Sequence, residues 1–471
     1  MSLQFDVVVI GSGPGGYTAA IKAAQSGFKT AIIEKYKVLG GTCLQVGCIP
    51  AKTYLSTTEL MASFHHKAKD MGLNVSDALF KEIDFKTLQK RVSDVVLKSE
   101  NGINYLMKKN GVEVFCGHAT FVDAHTLALA NQEKELEIKA KYIIIATGSK
   151  PLIPELYKLD GERVISSTEA LKLSKIPKRL GVIGGGAIGL ELGSVFSRLG
   201  SSVSVIEYSP RIIMAYDEEM SKTLASSLKK QGLKFFINSE CIEVEGKQEL
   251  KLTLKNRTSG EISSVEVDTL LIATGRRPYT EGLGLEKVGV KLNARKFIEV
   301  DSELRTFPHP HIYAIGDVIG GSMLAHKAEE EAIAVIERMK GEKPHINYDA
   351  IPGVIYTWPE VASVGLREED AKAKNIPYKV GIFPFSANAR GRIHAETEGV
   401  CKVVTHKESD QLLGVHYVGP HASELIASAV IALEFKASAE DLARVCYPHP
   451  TLSEVLREAS SLAFRGKTIN Y

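Results

Sequence analysis

The chain has 471 residues, room for three or four domains, and its 44% hydrophobic and 24% charged residues are ordinary for a globular protein with a large core. A formal net charge of +2, with no run of like charges, excludes a general field that would draw the chain to nucleic acid or an anionic membrane. No apolar stretch is long enough for a bilayer, the start lacks a secretory pattern, and six cysteines are too few for a secreted disulfide scaffold. The expectation is a cytoplasmic chain, or a processed one of the mitochondrial matrix.

The first predicted element is an apolar strand, FDVVVI, ending at Ile10. It runs into Gly11-Ser12-Gly13-Pro14-Gly15-Gly16, a helix-like YTAAIKAAQSG, and a second apolar run ending at Glu34. This is the spacing of a βαβ dinucleotide site. The first glycine (Gly11) makes the turn, the second (Gly13) lets a pyrophosphate approach the backbone, and the third (Gly16) lets helix pack on sheet. The acid Glu34 would accept from a ribose diol.

Next comes Cys43-Leu44-Gln45-Val46-Gly47-Cys48, preceded by Gly40-Gly41-Thr42 and followed by Pro50 and Lys52. Zinc would need two more ligands, and no second close Cys/Cys or Cys/His pair exists. Two buried structural cysteines would not need the flanking glycines, and a static disulfide does not suit a cytoplasmic chain. A redox-active pair is the favoured expectation. Pro50 marks a helix start, so Cys48 would sit at a helix N-terminus that stabilises a thiolate, with Lys52 one turn along. A merely solvated lysine is the alternative for Lys52.

Further along, KYIIIATGS is an apolar strand ending in Ala146-Thr147-Gly148, a small-residue end that lets backbone pass close to a cofactor or a neighbouring domain. The whole βαβ pattern then recurs: RLGVI, Gly184-Gly185-Gly186-Ala187-Ile188-Gly189, LELGSVFSRLG, and SVSVIE ending at Glu207, with the acid at the same spacing from the first glycine. Gly184, Gly186 and Gly189 take the three glycine roles. Two complete units imply two dinucleotides and hydride passage between them. Glu207 would repel a 2′-phosphate, and Arg211 is a lone basic residue behind it, so NAD is favoured over NADP. The strand end recurs too, as DTLLIATGR with Ala273-Thr274-Gly275.

HIYAIGDV delivers Asp317 to a strand end, where it suits the hydroxyls of a sugar-like chain or an ordinary turn or cap. After Pro352 alternating strands and then helices suggest a terminal α+β domain with an interface role. It ends in Cys446-Tyr447-Pro448-His449-Pro450-Thr451-Leu452-Ser453-Glu454. Alone, His449 reads as a turn histidine. A dithiol elsewhere in the chain makes it a candidate base, with Glu454 to fix its tautomer.

Over essentially its whole length the chain resembles the flavoprotein disulfide reductases, the family that includes glutathione reductase and mercuric reductase. The resemblance implies an α/β fold with two Rossmann-like dinucleotide-binding domains, for FAD (1–150) and NAD (151–278). A central domain (279–348) would complete the FAD site, and 349–471 would form a C-terminal α+β dimerisation domain. It implies FAD at Gly11, Gly13, Gly16, Glu34, Lys35, Gly41, Thr42, Cys43, Lys52, Ala119, Thr147, Gly148, Asp317 and Ala325, and NAD at Gly184, Gly186, Gly189, Glu207 and Gly275. It also implies a Lys52–Glu191 pair coupling the two sites, and Cys43 as the cysteine that meets substrate. His449 would act as base in the other subunit of a homodimer, with Glu454 orienting it. Within the family, GGTCLQVGCIPAK is similar to the lipoamide dehydrogenase pattern GGTCLNVGCIPSK, departing at Gln45 and Ala51, while YPHPT stands where HAHPT is usual. That branch implies oxidation of dihydrolipoyl groups with NAD⁺ as acceptor. Its partners would be the lipoyl-bearing acyltransferase (E2) subunits of 2-oxo acid dehydrogenase complexes or the glycine cleavage lipoyl protein, with no nucleic acid, membrane or metal. Glutathione reductase is the rival.

Overall fold

The run Leu3–Ile10 forms a strand whose Val7, Val8 and Val9 are wholly buried, as expected of a parallel strand covered on both faces. The structure, a computed structural model, describes residues 3–68, 71–73, 83–130, 135–246 and 249–470. It divides into two units, Met1–Thr53 with Gln89–Leu152 and Gly275–Ile346, and Tyr54–Leu88 with Ile153–Thr274 and Asn347–Tyr471.

In the first unit, parallel strands lie in the order Glu113–Cys116, Thr30–Glu34, Leu3–Ile10, Glu135–Ile145. The long strand Glu135–Ile145 divides its outer edge. Its first half pairs antiparallel with Thr126–Ala130, and its end pairs in parallel with Ile312–Ala314. The late segment 312–314 thus closes a sheet begun at residue 3. Alternate side chains fill opposite faces, with Val8 and Ile143 packed with Phe121 on one, and Val7, Val9 and Ile144 with Ala19 and Val335 on the other. Pro14 opens the helix Pro14–Gln25 in the one place where a missing N–H costs nothing. Its buried face is glycine and alanine, so the helix Ala325–Met339 packs closely on it, pinned by Tyr17 to Glu329 and Lys22 to Glu337.

The second unit repeats the parallel design in the strand order Lys234–Phe236, Ser202–Ile206, Arg179–Ile183, Thr269–Ile272, Val164–Ser166. An antiparallel three-stranded sheet, Ser239–Glu245, Leu250–Asn256 and Ile262–Val267, packs beside it. The terminal region is α+β, as expected. Its antiparallel strands run in the order Gly353–Ile355, Glu360–Gly365, Leu412–Gly419, Val400–His406, Tyr378–Pro384. The helices Ala422–Glu434 and Glu454–Arg465 cover one face through Ile426 and Leu456 over Val403, Val415 and Tyr417. Inside this unit Asp217, the N-cap of the helix Glu218–Lys230, meets buried Lys402 at 2.9 Å, and Lys402 meets Glu368 at 2.7 Å. Residues 54–88, which the sequence places in the first region, group with this second unit. Among the described residues no helix is long and apolar enough to cross a membrane, and no group of three or more His, Cys, Asp or Glu could hold a metal ion.

Candidate active site

The two glycine turns have the same geometry. Gly11 and Gly184 take φ of +99° and +108°, and a Cβ on either would lie 2.5 or 2.4 Å from the carbonyl oxygen of Ala146 or Ala273. The two Ala-Thr-Gly strand ends therefore approach the first glycine of each turn. A Cβ on Gly16 or Gly189 would lie 1.9 or 2.1 Å from the carbonyl oxygen of Gly11 or Gly184, so helix and strand touch through bare backbone. Around Gly13 and Gly186 a Cβ would meet no atom within 4 Å. Each of these is the extended N-cap of its helix, with open space in front of it, which fits a pyrophosphate on the helix N-terminus.

The acids match as closely. Glu34 Oε2 accepts from the Ser12 amide at 2.9 Å and Oε1 from the Tyr36 amide at 3.1 Å. Glu207 Oε2 accepts from the Gly185 amide at 2.6 Å and Oε1 from the Ser209 amide at 2.7 Å. In both copies the carboxylate bridges from the residue after the first glycine to its own strand end. Ser12 adds a hydroxyl bond of 2.7 Å to Glu34 that the second copy, with glycine there, lacks. Arg211 is tied into its own unit, where its Nη2 donates to Glu369 at 2.6 Å and to the Tyr216 carbonyl. Sequence reasoning missed Arg257, whose guanidinium lies 3.6 Å over the Tyr208 ring from the end of a different strand.

The cysteines sit on the first unit, where a short helix Gly41–Val46 holds Cys43 and the helix Cys48–Lys67 begins at Cys48. The glycines between and before them have steric causes. A Cβ on Gly41 would lie 2.6 Å from Gly13 Cα, so the redox helix rests on the dinucleotide turn, and one on Gly47 would lie 2.7 Å from the Thr42 carbonyl oxygen. Both cysteines are half-buried thiols. The Cys43 thiol is pushed up, first by its hydrogen bond with Cys48 and then by burial, while the Lys52 charge works in the opposite direction. Gln45 Nε2 donates to the Leu39 carbonyl at 2.7 Å and reaches Glu100 at 3.3 Å, so the longer amide ties the redox segment to the helix Phe85–Lys109. Burial and the charge of Glu329, then those of Cys43 and Cys48, push up the Tyr17 hydroxyl, a neighbour of the dithiol that no motif singled out.

Asp317 lies at the start of a short 3-10 turn after the strand Ile312–Ala314, where it accepts from the Ser149 hydroxyl. Thr147 Oγ1 donates to the Tyr279 carbonyl at 2.7 Å, and Gly148 turns the chain at φ +69° into Ser149. Lys35 Nζ stands 3.9 Å over the Tyr279 ring. Ala325 opens the helix Ala325–Met339, and Ala119 is a buried strand residue paired with Leu129. Ser149 follows a recognised motif directly and could have been found. Arg276, bonded to the same serine, follows Gly275 of the second copy and had no signal of its own.

On the second unit, His449 Nδ1 lies 3.0 and 3.2 Å from the two oxygens of Glu454, a carboxylate buried at the start of the last helix. The Thr451 amide also donates to Glu454 at 2.9 Å. The imidazole is 70% exposed against 8% for the carboxylate, so a fixed acid holds one edge of the ring and presents the other outward. Glu191 is buried on the helix Ala187–Arg198 and accepts from the Tyr356 amide at 3.0 Å.

Comparison with known proteins agrees with this chemistry. Residues 5–332 match the pyridine nucleotide-disulphide oxidoreductase family and residues 351–460 match its dimerisation domain. The chain is 45% identical to the mitochondrial dihydrolipoyl dehydrogenase of Schizosaccharomyces pombe, over 99% of this chain and 91% of the relative. It is 45% identical to the dihydrolipoyl dehydrogenase of Cupriavidus necator over the full length of both. The crystal structure of LpdA from Mycobacterium tuberculosis superposes with a TM-score of 0.88 at 27% identity, covering 97% of this chain and 99% of that one. With both family models matched and dihydrolipoyl dehydrogenases nearly half identical along its whole length, the chain belongs to the pyridine nucleotide-disulphide oxidoreductases, in their dihydrolipoyl dehydrogenase branch.

Proposed function

We propose that this chain oxidises protein-bound dihydrolipoyl groups to the lipoyl disulfide, with Cys43 and Cys48 as the exchanging pair, FAD on the first glycine turn and NAD⁺ on the second. One observation carries the assignment: the helix bearing Cys43 is seated against the glycine turn whose open face fits a dinucleotide. With Glu454 accepting from Nδ1, the Nε2 of His449 is left as the base. His449 of a second copy takes the proton of one substrate thiol. The thiolate attacks Cys43 Sγ, the Cys43–Cys48 bond breaks, and Cys48 leaves as a thiolate. The second substrate thiol then closes the lipoyl disulfide and expels Cys43, its own proton passing to the departing Cys43 sulfur while His449 keeps the first. FAD, when bound, supplies the two-electron relay from the dithiol to NAD⁺. Lys52, one turn from Cys48, balances negative charge at that end, and we pair it with Glu191. Glu207, with Arg211 held by Glu369, favours NAD over NADP.

The substrate-bearing partner is the lipoyl domain of an acyltransferase (E2) or of the glycine cleavage system. The compartment is the bacterial cytoplasm or the mitochondrial matrix. The test mixes the FAD-loaded protein with dihydrolipoamide and compares NAD⁺ with NADP⁺. The expected result is fast NADH formation, little NADPH, and no reduction of glutathione disulfide. NADPH-driven reduction of glutathione disulfide, with silence toward dihydrolipoamide, overturns the substrate assignment.

A further inference from the structure

Arg276 opens the strand Arg276–Pro278, which pairs antiparallel with Ser149–Pro151, and its side chain is only 14% exposed. Its Nε donates to Ser149 Oγ at 2.7 Å and its Nη2 to the Ser149 carbonyl oxygen at 2.7 Å. Ser149 Oγ donates in turn to Asp317 Oδ2, which lies 3.9 Å from Arg276 Nε. The direction of this relay is fixed. A guanidinium has no acceptor, so Ser149 Oγ must accept from it and send its own proton to the aspartate. Oδ2 of Asp317 is thereby occupied, while Oδ1 accepts no hydrogen bond among the described residues. Burial pulls the guanidinium down, and the charges of Asp317 and then Cys48 hold it up.

We propose that Arg276 is a positioning residue for the flavin half-reaction: through Ser149 it sets Asp317 to receive hydroxyls of the flavin's sugar-like chain. This rests on the assignment of FAD to the first glycine turn. Arginine suits the task because two donors in a rigid planar fork hold the Ser149 hydroxyl and carbonyl oxygens in one fixed geometry, whereas a lysine ammonium acts as a point charge on a flexible stem.

The test titrates FAD into flavin-free protein and, separately, follows iodoacetamide alkylation of Cys48 in the reduced protein against pH, read by peptide mass. Arg276→Met is expected to weaken FAD binding roughly tenfold or more. Ser149→Ala breaks the relay and leaves the charge, so FAD binding weakens and the alkylation profile stays as in the unaltered chain. Arg276→Lys keeps the charge and loses the fork, so it keeps the alkylation profile and not the FAD affinity. Should Arg276→Met not fold, the serine and lysine variants decide. FAD affinity unchanged in Ser149→Ala and Arg276→Lys overturns the inference, as does an alkylation profile that moves equally in all variants. An unaltered chain that binds no FAD overturns instead the assignment on which the inference rests.

Discussion

The two glycine turns are near copies, set apart locally by the Ser12 hydroxyl bond that the second lacks, and differ most in what leans on them. Both have a first glycine pressed on a strand-end carbonyl, a third glycine pressed on the first, and a carboxylate bridging two backbone amides. On the first, Gly41 of the redox helix touches Gly13. On the second, Ile212 and Glu207 crowd Gly185. The motif therefore specifies only a cradle for a dinucleotide. What the two cradles do differently is set by the segment packed against each turn, and the segment on the first turn carries Cys43.

The largest way to break this contrast is at the proton, which neither turn supplies. His449→Gln is expected to lower dihydrolipoamide turnover roughly 10²–10⁴-fold while leaving NADH-driven reduction of the flavin within a few-fold. Stopped-flow of the two half-reactions checks it, and equal loss in both would make the histidine structural. Next in size is the charge cluster of the second unit. Lys402→Met leaves Asp217 buried without its cation and is expected to cost about 3–5 kcal/mol, read as a lowered denaturation midpoint.

The same cluster gives the second unit a pH limit. Burial works to raise the Glu368 carboxyl, but bonds and charges from Lys372, Lys402 and Tyr378 bring it down to about 2. Asp217 is also held below its ordinary value: burial opposes this, and Lys402 and the nearby His416 overcome it. Folded values lie below unfolded ones, so this stabilisation is fully present above the ordinary carboxylate range. It is lost as pH falls from about 4.5 toward 2. Amide exchange at falling pH is expected to show the helix Glu218–Lys230 loosening before the strand Leu3–Ile10. Simultaneous opening would mean that the cluster does not set the limit.

Much of the cradle was legible because glycine spacing records steric necessity. The roles of Gly11, Gly13 and Gly16 follow from what a Cβ would strike, and a bare-backbone contact leaves no other residue type available. The acids were legible for the same reason, since a fixed βαβ length delivers Glu34 and Glu207 to the turn. Arg276, Tyr17 and Arg257 were not legible. Each reaches its neighbours through pairing that joins distant segments, such as strand 276–278 on 149–151, and no local period announces that. Gln45 shows a middle case. Its departure from the usual asparagine is visible in the sequence, but its bonds to Leu39 and Glu100 appear only once the helix Phe85–Lys109 is in place.

A subtler cut separates cradle from core. Gly13→Val and Gly186→Val place a side chain where no protein atom stands, so each is expected to cost the apoprotein under about 1 kcal/mol. Each is also expected to weaken one dinucleotide tenfold or more, a loss of about 1.4 kcal/mol. Gly13→Val should lose FAD and Gly186→Val should raise the KM for NAD⁺. Gly16→Ala instead drives a Cβ into a backbone oxygen and should cost about 3 kcal/mol of stability. Calorimetry of the apoproteins beside flavin titration tells the two kinds apart, and a destabilised Gly186→Val would mean that its open space is not a ligand's.

The smallest expected effect concerns the choice of nucleotide at the second turn. Glu207→Gln keeps one oxygen for two amides, so one of Gly185 and Ser209 loses its acceptor, at a cost of about 1 kcal/mol. The KM for NAD⁺ should rise several-fold, roughly what that energy converts to. Removing the negative charge should also relax the bias against a 2′-phosphate, yet NADP⁺ should remain a poor acceptor, because Arg211 is held by Glu369 and the Tyr216 carbonyl. Adding Glu369→Ala to Glu207→Gln removes the ion pair and leaves Arg211 Nη2 on the Tyr216 carbonyl alone, and only the double variant should gain appreciable NADP⁺ reduction. Gain in the single variant would mean that another cation meets the phosphate, and Arg257, stacked on Tyr208 beside the acid, is then the residue to change.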